Sequence, residues 1–236
     1  VSLRFRIGER LAVVGMNGSG KTTFIKLLCR LYDPTEGVIL LNGVDIRKYN
    51  YDEYLSIFSV VFQDFRLFSF SLGQNVAAGA EYDRERAVSC LREAGFGERL
   101  AKMPEGLETS LYQDFDKAGM EISGGEAQKI ALARALYKNA PFIVLDEPTA
   151  ALDPVSEYEV YRKFNEISGG RTAVYISHRL ASCRFCDEIL VFHEGQIVQH
   201  GAHEALLAES GGKYAELWNA QAQYYTDAQA GAEAEA

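Results

Sequence analysis

The stretch Gly15-Met16-Asn17-Gly18-Ser19-Gly20-Lys21-Thr22 follows a short apolar run at residues 10–14 and precedes residues 22–31, where Phe24, Leu27, Leu28 and Leu31 recur at helical spacing. A turn so dense in glycine, placed between a strand and a helix, matches the phosphate cradle written as Gly, four residues, Gly-Lys-Thr. In such a loop successive backbone N–H groups curl around an anion and the helix N-terminus adds positive potential. Lys21 reaches the β- and γ-phosphates, and Thr22 offers its hydroxyl to Mg²⁺. The expected phosphate-binding set is therefore Gly15, Asn17, Gly18, Ser19, Gly20, Lys21, Thr22 and Thr23, with ATP and Mg²⁺ as its ligands.

The rest of the chain is read around that unit. Runs at 38–41 and 57–62 read as β-rich, with the turn pair Asn42-Gly43 between them, so three strands are expected before residue 65. From about Phe70 to Lys138 the pattern turns helical: Asp83 is placed to cap a helix reaching Gly95, and 125–137 is rich in helix formers. Apolar runs at 142–145, 172–176 and 188–192 have strand length, and Asp153-Pro154 opens an amphipathic helix carrying Val155, Tyr158, Tyr161 and Phe164. Glu194-Gly195 reads as a hairpin turn, and 214–225 as a last helix. The expected fold is α/β: a P-loop NTPase core with a mainly parallel sheet, an antiparallel β region and a helical subdomain. Its divisions are 1–69 with 139–225 for the ATP-binding core, 70–138 for the helical part, and 226–236 as a flexible tail.

Composition excludes several classes. A formal net charge of -9 with no clustered Lys or Arg argues against a nucleic-acid partner. No apolar run approaches the roughly 18 residues of a membrane span. Four cysteines are too few for a disulfide framework in 236 residues, which favours a reducing compartment, and Cys183-x-x-Cys186 lacks the second pair that zinc requires. His193, His200 and His203 show no metal-ligand pattern and are expected as strand and surface residues. Val1, Leu3, Phe5 and Ile7 alternate as in a strand and no Met precedes them, so the chain is expected to be a piece of a longer protein, soluble as it stands.

The run 142–145 ends in Asp146-Glu147. Successive strand side chains face opposite ways, so Asp146 is placed for the metal and Glu147 for the attacking water. A second anion site follows from Ile122-Ser123-Gly124-Gly125-Glu126 ahead of a helix start, which a simple phosphotransferase or GTPase has no use for.

These residues, with Ala127-Gln128-Lys129-Ile130-Ala131-Leu132-Ala133-Arg134-Ala135-Leu136 behind them, resemble the signature motif of the nucleotide-binding domain of ABC transporters. Over about residues 1–225 further matches fall in family order: Gln63 after a strand, Ala151-Leu152-Asp153 after Glu147, and His178 after the strand at 173–177. The resemblance implies two domains sandwiching two ATP molecules head to tail. Lys21 of one would face Ser123, Gly124, Gly125 and Glu126 of the other, with Asp153 at the interface. It also implies Gln63 touching Mg²⁺ and water, Glu147 as base, and His178 at the γ-phosphate. The partners implied are a second nucleotide-binding domain, identical or not, and a transmembrane domain fused upstream, at the cytoplasmic face of the plasma membrane. The ends 201–207 and 212–218 are similar to exporter-type domains.

Two departures matter. Glu126 stands where the family more usually has Gln, adding a charge near the partner's nucleotide. The family's adenine-stacking aromatic lies upstream of Val1, so ATP affinity is expected to fall roughly 5- to 150-fold without it. The rival readings are a non-transport ATPase of DNA repair or translation, a phosphotransferase sharing only the loop, and a binding-only cassette. The first would need a long coiled-coil insertion or a second cassette, which the chain lacks. The last is disfavoured by Glu147 and His178.

Overall fold

The computed structural model describes residues 1–147, 170–177 and 180–234. The chain divides into two compact units, Val1–Tyr49 with Gly170–Ala236, and Asn50–Gly169.

The first unit is organised on β1 (Arg10–Gly15), which lies between β6 (Thr172–Ile176) and β7 (Glu188–His193) and runs parallel to both. Leu11, Ala12, Val13 and Val14 are all fully buried, the mark of a central parallel strand covered on both faces. One face, Ala12 and Val14 with Ile189 and Val191, packs on Leu180, Cys183, Leu206 and Tyr214. On the helix side, α1 (Lys21–Leu28) brings Phe24 to 5.5 Å from the Phe192 ring. β8 (Gln196–Gly201) returns antiparallel to β7 through the expected turn at Glu194-Gly195, with a register shift between Val191 and Phe192. Asn42-Gly43 is also a turn, but it joins a two-residue hairpin, β2 (Leu40–Leu41) and β3 (Val44–Asp45). The run at 38–41 thus contributes only its last two residues to the ladder, and the strands before residue 65 number four.

The second unit holds the parallel pair β4 (Phe58–Val61) and β5 (Phe142–Asp146), with Val61 opposite Leu145. A helix not foreseen in the sequence, α2 (Tyr51–Ser56), precedes β4; Asn50 caps it by accepting from the Glu53 N–H, and Asp52 and Glu53 suit its first turn. The helical stretch comprises α3 (Leu72–Ala77), α4 (Arg84–Glu93), α5 (Gly97–Ala101) and α6 (Gly124–Lys138). Asp83 does cap α4, accepting from the Arg86 N–H. Arg134 of α6 fastens α3 and the loop before it by donating to the Asn75 carbonyl at 2.7 Å and the Arg66 carbonyl at 3.2 Å.

These elements make a mixed α/β protein whose longer strands are mostly parallel, as the sequence predicts. Three expectations change. The alternation at residues 1–7 forms no strand, and Val1 and Ile7 are exposed: alternation supplies a face, but a strand also needs a neighbouring ladder. The last helix, α8 (Lys213–Ala234), continues past residue 225, because the Ala- and Gln-rich segment is made of good helix formers. His203, at the start of α7 (His203–Ala208), is buried rather than on the surface; its Nδ1 lies 2.8 Å from the Tyr214 hydroxyl, and its ring meets Trp218 at 4.8 Å. The helix expected from Asp153-Pro154 lies outside the described residues. Among the described residues no helix is long and apolar enough to cross a membrane.

Burial, aided by Arg184, pushes the His203 pKa below its ordinary 6.5. The folded imidazole stays neutral where the unfolded one takes up a proton, so the unfolded state binds more protons and gains as pH falls. Stability is therefore full above pH 6.5 and declines below it. Urea unfolding at pH 7.5 and 5.5 (about one unit either side of the midpoint) should show a smaller loss for His203→Gln than for the wild type; equal losses would remove His203 from the account.

Candidate nucleotide site

The glycine loop of the first unit is held in shape from below. Gly15, at φ +147°, is paired with Phe192, and a Cβ on it would lie 2.3 Å from the Phe192 carbonyl oxygen and 2.8 Å from Ser19 Oγ. The register shift at Phe192 is a bulge of the kind that re-aims a strand beside a functional site. The hairpin turn supplies a second brace: the Gly195 N–H donates to the Ser19 carbonyl at 3.0 Å. Neither support is visible in the local sequence.

Within the loop, Lys21 is buried at the first position of α1, and its ammonium donates to the carbonyls of Gly15 at 2.9 Å and Met16 at 3.0 Å. A cation is thus fixed at the centre of the curl, beside the helix N-terminus, where an anion gains most. Ser19 Oγ is buried and finds no hydrogen-bond partner among the described residues, an orphan polar atom that suits a ligand oxygen. Asn17, Gly18 and Thr23 are exposed; Gly20 and Thr22 are half-buried. Gly15, Ser19, Gly20, Lys21 and Thr22 thus lie together in the loop and at the start of α1. β1 and β6 run parallel with Val13 opposite Ile176, so both strands leave the sheet on the edge that carries the loop.

The second unit carries the other residues. Asp146 ends β5 and is buried at 1% exposure, and Glu147 follows it half-buried at φ +52°, a left-handed conformation that a non-glycine residue adopts at a cost of about 1–2 kcal/mol. That turn ends β5 at Asp146. Gln63 lies exposed in the turn just after β4. With β4 and β5 parallel, Gln63, Asp146 and Glu147 come to one carboxyl-end edge, where α/β sheets bind ligands.

At the start of α6, Ser123 is the N-cap and, like Gly124, is exposed, whereas the helix body buries Gln128, Ile130, Leu132 and Leu136. A capping box closes on it: the Ser123 N–H donates to Glu126 Oε2 at 2.9 Å, and the Glu126 N–H donates to Ser123 Oγ at 3.3 Å. Glu126 Oε1 also lies 2.8 Å from Arg99 Nε of α5, a pairing that reading along the sequence did not find because nothing local announces it. His178 and Asp153 lie outside the described residues.

Taken singly, Thr22 of the first unit and Asp146 and Gln63 of the second each carry a hard oxygen of the kind Mg²⁺ takes. Burial pushes the Cys186 thiol up to about 12.

The family model described as "ABC transporter" matches residues 1–150. The ATP-dependent lipid A-core flippase of Burkholderia orbicola is 42% identical over 223 residues, covering 94% of this chain and 37% of that protein. The mitochondrial iron-sulfur clusters transporter ABCB7 of Oryzias latipes is 38% identical over 222 residues, covering 94% of this chain and 29% of that protein. The structure of a bacterial Atm1-family ABC exporter with ATP bound superposes with a TM-score of 0.84 at 36% identity, over 91% of this chain and 37% of that one. The chain thus spans between 29% and 37% of the length of these three proteins.

The Gly15 contact yields a ranking. Gly15→Ala must displace backbone and should cost at least about 2 kcal/mol, while Gly18→Ala, with nothing within 4 Å of its Cβ position, should cost about 1 kcal/mol for its positive φ. Chemical denaturation of the two variants checks this; equal losses would mean the Phe192 contact does not constrain the loop.

Proposed function

This chain belongs to the ABC transporter family, as its ATP-binding domain, and on that premise we propose that it hydrolyses ATP within a head-to-tail pair of such domains to drive export through an attached transmembrane domain. The observation that carries the reading is the exposed start of α6: Ser123 and Gly124 face solvent at the N-terminus of a helix whose body is buried, which supports reading it as a second anion site. One bound nucleotide needs only one phosphate loop. A second site in the same chain is of use to the nucleotide of another subunit.

In this reading the loop from Gly15 to Thr23 holds the phosphates of ATP, with Lys21 at the β- and γ-phosphates. Thr22, Asp146 and Gln63 would hold Mg²⁺, which would supply neutralisation of charge on the phosphates. Glu147 takes the proton from the attacking water; the strained φ that separates it from Asp146 supports giving the two carboxylates different tasks. His178 donates to the γ-phosphate, and Ser123, Gly124, Gly125 and Glu126 approach the partner's nucleotide, with Asp153 at the interface. Residues 70–138 act as the helical subdomain. The paired domains would work at the cytoplasmic face of the plasma membrane. Among the relatives one is named for the lipid A core and another for iron-sulfur clusters, so the cargo is not common to them.

Phosphate release by wild type and Glu147→Gln tests the assignment. The variant should be slower by about 10²-fold or more, the usual worth of a general base, and should form a dimer that depends on ATP. Equal rates would exclude Glu147 as the base.

A further inference from the structure

Ser123 is committed on its inner side. Its N–H and its hydroxyl both donate to Glu126 Oε2, at 2.9 and 3.0 Å, and its Oγ in turn accepts from the Glu126 N–H. A hydroxyl has one proton. With that proton on Glu126, the outward side of Ser123 offers lone pairs, which repel a phosphate oxygen. The carboxylate also brings a full negative charge to a helix start whose partial positive charge would otherwise attract the anion. A glutamine here could accept the same two hydrogen bonds without the charge.

The structure supplies a counter-charge. Arg99 Nε lies 2.8 Å from Glu126 Oε1, the oxygen that Ser123 does not use, so the carboxylate is shared between the two. Arg99 and Glu126 side chains remain 34% and 25% exposed, so the pair sits at the surface from which Ser123 is approached, where its net charge is felt. Arg99 comes from α5 and brings a guanidinium cation.

We infer that Arg99 is a positioning residue for the Ser123 anion site: it draws the Glu126 carboxylate to one side and cancels the charge that would otherwise oppose the γ-phosphate brought by a second copy of this domain. This rests on the proposed head-to-tail pairing. Glu126 without Arg99 is a built-in competitor for the phosphate; Glu126 with Arg99 is nearly equivalent to a neutral amide. The two residues therefore act as a unit, and only their coupling is diagnostic.

The experiment measures ATP-dependent dimerisation by sedimentation, with Mg²⁺ and at low salt, in the Glu147→Gln background. Arg99→Ala should weaken the dimer by about 3- to 10-fold, the scale of one uncompensated partly exposed charge, and Arg99→Lys should restore most of the loss. Glu126→Gln should strengthen it, and on top of Glu126→Gln the loss from Arg99→Ala should shrink below about 2-fold. Higher salt should erase the difference. ATP affinity of the isolated chain, which reports on the Lys21 loop, should not change in any Arg99 variant. An equal loss from Arg99→Ala in both backgrounds overturns the inference, because Arg99 would then act on the phosphate directly or on folding alone. No loss in either background also overturns it. If the Glu147→Gln chain binds ATP but never dimerises, the head-to-tail reading fails and takes this inference with it.

Discussion

The contact between Gly15 and the Phe192 carbonyl is the constraint on which the nucleotide loop depends. It requires a residue without a side chain at the end of β1, a strand bulge at Phe192, and the β7–β8 turn close enough for Gly195 to hold Ser19. Once the loop is pinned there, α1 starts where the ammonium of Lys21 can reach back to Gly15 and Met16. Burying a lysine is costly unless its donors are used, and here the loop's own carbonyls use them. The fold itself thus holds the cation at the centre of the loop.

The second unit solves a different problem with similar means. Asp146 is taken almost entirely out of water at the end of a strand whose other residues are apolar, while the next residue turns through a left-handed φ. Strain and a buried carboxylate in consecutive residues are features that folding alone does not favour, and their coincidence with the carboxyl edge of a parallel pair is what gives them meaning. At α6 the compromise is electrostatic: the capping box satisfies the first turn, and Glu126 within it calls for the charge that Arg99 provides.

Legibility in the sequence tracked how local each feature's cause is. The loop, the cap at Asp83, the turn at Glu194-Gly195 and the strands at 142–145 and 172–176 are set by spacing and by single residues, and all were readable, whereas the cap that Ser123 forms on α6 was not read as one. The opening alternation at Val1 to Ile7 misled because a strand exists only when paired. His203 misled because a polar residue at a helix start is ordinarily exposed, and only the approach of Tyr214 and Trp218 buries it. The short helix from Tyr51 was overlooked although its cap, Asn50, is in plain view; six residues are too few to show a period.

The sequence by itself named the candidates: residue types suited to phosphate and metal, a carboxylate suited to accept a proton, and two helix starts suited to an anion. Those are properties of residue type and spacing, and they do not depend on distant neighbours. The tertiary structure decided how the chemistry is supported, through the Phe192 carbonyl under Gly15, the Gly195 brace on Ser19, and Arg99 beside Glu126. Each joins residues far apart in the chain, so only the packing of helices and strands could bring them within a few ångströms.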